Sequence, residues 1–134
     1  MEINVNTADD HYMDLMHNYY IVVPISKQYE EDLYEYKIFE DGEIRSCFIK
    51  MVFDEKKYNY IEKRLFDFIN AKFGLYICMY EEEYIEYEQL KDVKELTENL
   101  IKNCGEEEFL QFANEFLKLI NFAITHEVPV GLLF

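Results

Sequence analysis

Residues 106–134, EEEFLQFANEFLKLINFAITHEVPVGLLF, decide how this chain folds. Apolar side chains recur through residues 109–124 at three- and four-residue steps, which is the period of an α-helix, and they cover most of its circumference. A helix this apolar is normally buried on more than one side. The three glutamates that open it suit the positive end of the helix dipole. Because a short β-prone run follows from Val128, the sequence predicts a core helix and then a terminal strand.

Further strands are predicted on the N-terminal side of this helix. Residues 19–23 are β-prone, and Pro24 either ends that strand or places it at a sheet edge. Residues 33–39 and 44–53 are two β-prone runs joined through Asp41-Gly42, a pair that accepts the positive φ angles of a tight hairpin turn. We therefore expect a long hairpin across residues 33–53.

Alternation and continuous apolar runs add detail to the predicted sheet. In the second hairpin arm, four apolar side chains share one face by alternation, namely Cys47, Ile49, Met51 and Phe53. Residues 75–80 form a short continuous apolar run, which fits a strand covered on both faces. Residues 84–88 either continue that strand or return as a hairpin arm.

Helices separate these strands. A helix capped by Asp54 carries an apolar stripe that ends at Gly74, a natural C-terminal stop. Residues 92–105 contain another amphipathic pattern, and residues 3–5 and 8–17 predict a short strand and a short helix. This order of predicted strands and helices favours one α+β domain over residues 1–134, with a largely antiparallel sheet and about four helices packed on it.

Composition narrows the class of partner. The chain has 134 residues, of which 28 are acidic and 13 basic, so its formal net charge is −15. Such a chain repels nucleic acid and anionic membranes and attracts basic proteins. It has no apolar run long enough to span a bilayer and no signal-peptide pattern at residues 1–6. An odd, scattered set of cysteines (Cys47, Cys78 and Cys104) favours a reducing, cytoplasmic location.

The sequence carries little sign of catalytic chemistry. Its four glycines stand apart, so it has no phosphate-binding loop, and neither serine lies in a nucleophile motif. His11 and His17 flank Asp14 at helical steps, but a metal site needs a firmer ligand set, and two surface histidines are the simpler interpretation. We expect no catalytic residue, no metal and no cofactor.

Two acidic, tyrosine-containing stretches are the most informative feature. Residues 30–43 hold seven acids against Lys37 alone, and residues 81–88 hold five acids and no base. Tyrosines are common in interface cores, and acids around them steer a basic partner. We predict that sixteen residues of these stretches form a partner-binding surface: Glu30, Glu31, Asp32, Tyr34, Glu35, Tyr36, Glu40, Asp41, Glu43, Glu81, Glu82, Glu83, Tyr84, Glu86, Tyr87 and Glu88.

Two interpretations of this charge remain open. If the predicted hairpin and residues 75–88 belong to the same sheet, the acids of both stretches converge on one face. The alternative is a solvated acidic surface whose tyrosines are half-buried in the sheet.

In composition and layout, the late apolar helix with its terminal strand and the two acidic stretches resemble immunity proteins of bacterial toxin systems. The resemblance implies a cytoplasmic protein that binds a cognate toxin, often a basic nuclease, and blocks its active site or substrate path. It assigns no individual functional residue, because immunity proteins share no common binding motif.

Two other functions fit the same sequence. One is a phage-type inhibitor whose carboxylate rows mimic nucleic acid. The other is a small-ligand binding domain or enzyme with an apolar, tyrosine-lined pocket.

Overall fold

The chain alternates short strands with helices, as the sequence predicts. The computed structural model describes residues 17–134. In chain order its elements are β1 (Tyr19–Pro24), α1 (Glu30–Tyr34), β2 (Phe39–Glu40), β3 (Glu43–Ile44), β4 (Phe48–Phe53), α2, β5 (Glu82–Ile85), α3 (Leu90–Lys102), α4 (Glu107–His126) and β6 (Val130–Leu133). Helix α2 comprises three consecutive segments, Glu55–Ile61, the π-helical Glu62–Phe66 and Asp67–Phe73.

The main sheet has four strands in the order β4-β1-β6-β5, and each neighbouring pair is antiparallel. Strand β6 lies between β1 and β5, with Tyr20 opposite Leu133 on one side and Glu82 opposite Leu133 on the other. Strands β2 and β3 form a separate two-stranded sheet. Together with the helices, this arrangement confirms the predicted α+β class and the largely antiparallel sheet.

One face of the main sheet carries the principal core. Tyr19, Ile21 and Val23 of β1 alternate onto this face, where they pack with buried side chains of α2, α3 and α4. Helix α4 contributes the largest share of them: Phe109, Phe112, Ala113, Phe116, Leu119, Ile120 and Ala123. The prediction of a core helix followed by a terminal strand is therefore confirmed.

The opposite face of the sheet is covered by α1 and the β2–β3 hairpin. Leu33 of α1 packs here with Val22, Ile38 and Leu133 in a smaller apolar cluster. Gly131 of β6 permits this approach, because a Cβ atom at that position would lie 2.7 Å from Leu33 Cδ1. Both sheet faces are therefore buried, and α1 is fixed close to β5.

The predicted ends of α2 are confirmed. The Asp54 carboxylate accepts a hydrogen bond from the Lys57 backbone N–H at 2.9 Å, and Gly74 ends the helix in the left-handed conformation with φ of 67°. Helix α3 begins at Leu90, just before the predicted Asp92. No helix within residues 17–134 combines the length and apolarity needed to cross a bilayer.

The predicted strand at residues 75–80 is wrong. The strand in this region is β5, which begins only at Glu82. The Asn70 side chain occupies the backbone groups that a neighbouring strand would need: it accepts from the Ile77 N–H at 2.8 Å and donates to the Ile77 carbonyl at 3.0 Å. Three residues of this loop, Leu75, Ile77 and Met79, instead pack against the principal core, whereas Tyr76 and Tyr80 are exposed.

The predicted long hairpin is also wrong in part. Its first arm begins as helix α1, and only the short pairing of β2 with β3 around the Asp41-Gly42 turn remains, with φ of 53° and 79° at the two turn residues. Cys47 belongs to the smaller cluster and does not share a face with Ile49, Met51 and Phe53. Pro24 ends β1, but β1 is a central strand and not an edge.

Two predicted elements fall outside the described residues. These are the strand at residues 3–5 and all but the last residue of the helix at 8–17. His11 and Asp14, considered above as metal ligands with His17, lie there too.

Candidate functional site

The two Glu/Tyr stretches meet at the surface beside β5. The ring of Tyr34 lies edge-on to that of Tyr84 with 5.1 Å between centroids, and the Tyr34 hydroxyl donates a hydrogen bond to the Glu86 carboxylate. The contact exists because Leu33 anchors α1 over Gly131, next to β5. Convergence thus arises from α1 packing across the sheet face and not from a shared sheet, since β2 and β3 lie outside the main sheet.

A cleft of about 660 Å³ opens next to this contact. The segment just before and within β1 supplies His17 and Tyr20, and the α1–β2 connection supplies Tyr36. Tyr80 and Glu81 come from the loop that leads into β5, and Glu82 is the first residue of that strand. Leu133 of β6 and Phe134 after it also line the cleft, together with Asn18 and Gly42.

Two tyrosines of the cleft have an unusual backbone conformation. Tyr36 and Tyr80 have φ of 58° and 65°, in the left-handed region that bulky residues rarely adopt. Hydrogen bonds hold both: the Tyr36 N–H donates to Leu33 O at 3.2 Å, and the Tyr80 N–H donates to Phe134 O at 2.9 Å. The side chains remain 47% and 72% exposed. Tyr36 owes this conformation to the end of α1, where the Lys37 N–H also donates to Asp32 O at 2.8 Å, whereas Tyr80 lies in a loop, and strain of its kind is concentrated at functional sites. Tyr80 therefore marks the cleft as a candidate.

His17 supports Tyr80 from inside the cleft. The two rings lie 4.8 Å apart, and His17 Nε2 donates a hydrogen bond to the Phe134 carbonyl. The same carbonyl accepts from the Tyr80 N–H, so histidine and tyrosine are anchored to one backbone group.

The hydroxyl groups of Tyr36 and Tyr84 stay protonated at neutral pH. Burial and then the charge of Glu82 raise the pKa of Tyr36. Burial, followed by the charge of Glu82 and a 3.2 Å hydrogen bond to it, raises the pKa of Tyr84 to about 12. The neutral phenol of Tyr36 therefore lies in a cleft with the carboxylates of Glu81 and Glu82, and the described lining contains no lysine or arginine.

Several acids of the predicted surface already have partners. Asp32 pairs with Arg45 at 3.0 Å, and Glu35 pairs with Lys37 at 2.9 Å. Glu83 accepts hydrogen bonds from two backbone N–H groups, those of residues 76 and 84. These residues contribute to the charge of the surface but are engaged within the protein.

The acids of the predicted surface also differ in exposure. Glu30 is half-buried, like Asp32 and Glu83. The exposed acids of the predicted set are Glu31, Glu35, Glu40, Asp41, Glu43, Glu81, Glu82, Glu86 and Glu88. Of these, only Glu81 and Glu82 line the cleft.

The tyrosines of the predicted surface also differ in exposure. Tyr34 and Tyr36 are exposed, whereas Tyr84 packs on the smaller cluster and Tyr87 on the principal core. Tyr20, Tyr80 and His17 line the cleft but are not among the sixteen binding residues predicted from the sequence. Tyr80 immediately precedes the Glu81–Glu83 run, which was the available signal.

The three cysteines differ in burial. Cys47 is buried, Cys78 and Cys104 are half-buried, and all three are free thiols. Burial raises the pKa of the Cys78 thiol, which keeps it protonated and unreactive at neutral pH. Within residues 17–134 no three His, Cys, Asp or Glu side chains lie close enough together to hold a metal ion.

No protein-family model, curated protein or solved structure matches this chain. The site must therefore be interpreted from its own geometry.

Proposed function

We propose that this chain is an acidic binding protein that docks a basic protein on the surface formed by residues 30–43 and 81–88. The contact of Tyr34 with Tyr84 and Glu86 carries the proposal, because it joins two strongly acidic stretches that are far apart in sequence. Exposed carboxylates on both sides of this contact then act on a partner together.

The carboxylates and the tyrosine rings of this surface contribute differently to binding. Exposed carboxylates such as Glu40 and Glu81 attract a basic partner over a distance of about one screening length, roughly 8 Å at physiological ionic strength. Exposed rings such as Tyr36 and Tyr80 offer rigid contact area that loses little conformational entropy on binding. Charge therefore governs the rate of association, and the rings govern the lifetime of the complex.

The most specific form of the proposal is an immunity protein that neutralises a cognate basic toxin, as the resemblance of the sequence implies. A toxin whose substrate is nucleic acid needs a basic active site, and an acidic protein seated on that site would block it.

The test begins with the proteins encoded next to this chain. The neighbouring gene product is expressed with and without the chain, and growth and complex formation are measured. We expect the neighbour to be basic, to arrest growth alone, and to form a stoichiometric complex that restores growth. A neighbour that is harmless, acidic or not rescued would contradict the immunity assignment.

The cleft favours a second candidate, a domain that binds a small ligand. Its volume of about 660 Å³ lies within the range of small-ligand pockets, and aromatic side chains such as its tyrosines commonly line such pockets. Native mass spectrometry of protein purified from its own host distinguishes the two functions, because a ligand-binding domain would carry a small molecule and no protein partner.

A further inference from the structure

Aromatic rings and carboxylates line the cleft together. Tyr20, Tyr36 and Tyr80 contribute rings, and Phe39 packs behind two of them, with centroids 5.4 Å from Tyr20 and 6.0 Å from Tyr36. Glu81 and Glu82 add the formal charges. The faces of aromatic rings attract cations, and carboxylates bind them directly.

We propose that this cleft is a receptor for the guanidinium group of an arginine side chain presented by the basic partner. The inference rests on the proposed function and adds the partner group that the surface recognises. Arginine fits better than lysine because its planar group stacks on a ring while its N–H groups donate to a carboxylate. A lysine ammonium is a compact charge that is more strongly hydrated.

The cleft is preorganised for binding an arginine side chain. The backbones of Tyr36 and Tyr80 are held in left-handed conformations by hydrogen bonds to Leu33 and Phe134. His17 contacts the Tyr80 ring from within the cleft. Rings that are already positioned lose little freedom on binding, so most of the interaction contributes to affinity.

The size of the cleft also suits a peptide side chain. A volume of about 660 Å³ exceeds what one guanidinium needs and leaves room for the side-chain stem and adjoining backbone. The exposed acids of the surrounding surface would then contact neighbouring basic residues of the same partner.

The direct experiment is a chemical-shift titration of the isotope-labelled protein. The probes are the Nα-acetyl amides of arginine, lysine and citrulline, the last being a neutral isostere of arginine. We expect arginine amide to shift the backbone signals of Tyr36, Tyr80 and Glu81 in a saturable manner, with weaker effects from lysine amide and none from citrulline amide.

Matched variants locate the binding. Tyr80→Leu removes a ring from the cleft, whereas Tyr76→Leu removes a similarly exposed ring that does not line it; the two tyrosines are 72% and 77% exposed. We expect Tyr80→Leu to weaken arginine amide about two- to fivefold, the usual range for an exposed cation–π contact, and Tyr76→Leu to leave it unchanged. Glu81→Gln should weaken the two cationic probes and leave the citrulline result unaltered.

The proposal is overturned if citrulline amide gives the same shifts as arginine amide, if the shifts spread evenly over the exposed acids, or if no shifts occur. A folded Tyr80→Leu protein, checked by its spectrum, that binds arginine amide like the parent also overturns it. If only the arginine-receptor proposal is wrong, the Tyr80→Leu variant will still form the complex with the toxin normally. Failure of the proposed function alone would leave arginine amide bound in the cleft with no protein partner found.

Discussion

The hydroxyl of Tyr34 donates a hydrogen bond to the carboxylate of Glu86, a residue 52 positions further along the chain. This bond links helix α1 to the residue that follows β5, and with it the two acidic stretches of the molecule. The Glu86 side chain also belongs to a capping box with Gln89 at the start of the next helical segment. The bond therefore joins the proposed binding surface to the framework behind it.

The bond predicts energetic coupling between its two residues. Tyr34→Phe removes the donor, and Glu86→Gln keeps a capping oxygen but removes the charge. We expect a double-mutant cycle in urea to give a coupling of about 0.5–1.5 kcal/mol, the usual net value of a hydrogen bond. Additive effects of the two substitutions would mean that the contact does not contribute to stability.

Two stacked tyrosines of the core differ in whether their hydroxyl groups have partners. Tyr19 and Tyr58 lie with ring centroids 4.5 Å apart, and Tyr58 donates to Glu62 at 2.8 Å. The Tyr19 hydroxyl is buried without a partner among the described residues. Tyr19→Phe removes a buried hydroxyl that has no partner, so we expect it to be neutral or stabilising. Tyr58→Phe instead leaves the Glu62 carboxylate without its donor. Tyr58→Phe should lower the free energy of unfolding by about 1.5–3 kcal/mol. Equal effects in chemical denaturation would contradict this account.

Tyrosines also set the stability of the protein in alkali. Burial raises the pKa of Tyr19 to about 12, and burial with the Glu62 hydrogen bond raises that of Tyr58 further. Since the folded state holds these protons more tightly than the unfolded chain, whose tyrosines titrate near pH 10, the stabilisation is complete below pH 10. We expect it to be lost as pH rises from 10 through 12, and denaturant unfolding followed by circular dichroism at a series of pH values measures the loss. A free energy of unfolding that stays constant from pH 10 to pH 12 would contradict the prediction.

The close approach of α1 to the sheet depends on Gly131. A methyl group there would lie 2.7 Å from Leu33 Cδ1 and 3.3 Å from Val22 Cγ2. We expect Gly131→Ala to cost about 1–3 kcal/mol through overpacking. Adding Leu33→Ala should cost less in the Gly131→Ala variant than in the parent protein. Gly105→Ala is the control, because a Cβ atom at Gly105 meets no atom within 4 Å.

Charge placement predicts the kinetics of partner binding. Glu40→Lys with Glu81→Lys reverses two exposed acids of the proposed surface, whereas Glu95→Lys with Glu98→Lys reverses two exposed acids of α3. Once a partner is identified, we expect the first pair to slow association by about three- to tenfold at low salt, and the second pair to have a smaller effect. Surface plasmon resonance at several salt concentrations measures both. Equal effects of the two pairs would point to net charge alone and not to a docking surface.

Local signals in the sequence were sufficient for some elements and insufficient for others. The period of α4, the Asp54 cap and the Gly74 stop depend on neighbouring residues, so they could be predicted. The apolar run at residues 75–80 is a loop because the Asn70 side chain binds both backbone groups of Ile77. No local sequence pattern predicts this tertiary contact.

The candidate site was predictable in composition but not in geometry. Its acids and several tyrosines could be named from charge clustering. The left-handed backbones of Tyr36 and Tyr80 could not, because glycine and asparagine are the residues that normally announce that conformation. The sequence predicts a strand at Leu33, so it does not reveal the packing of α1 that brings Tyr34 to Glu86.

The position of β6 has a consequence for the newly made chain. This strand joins β1 to β5 at the centre of the sheet, yet it follows every other described element in sequence. During synthesis β1 therefore emerges long before the neighbour that closes its second edge, and unpaired edges can capture strands from other chains. A formal charge of −15 works against such capture, since nascent copies on one message repel each other during the time in which β6 is not yet made.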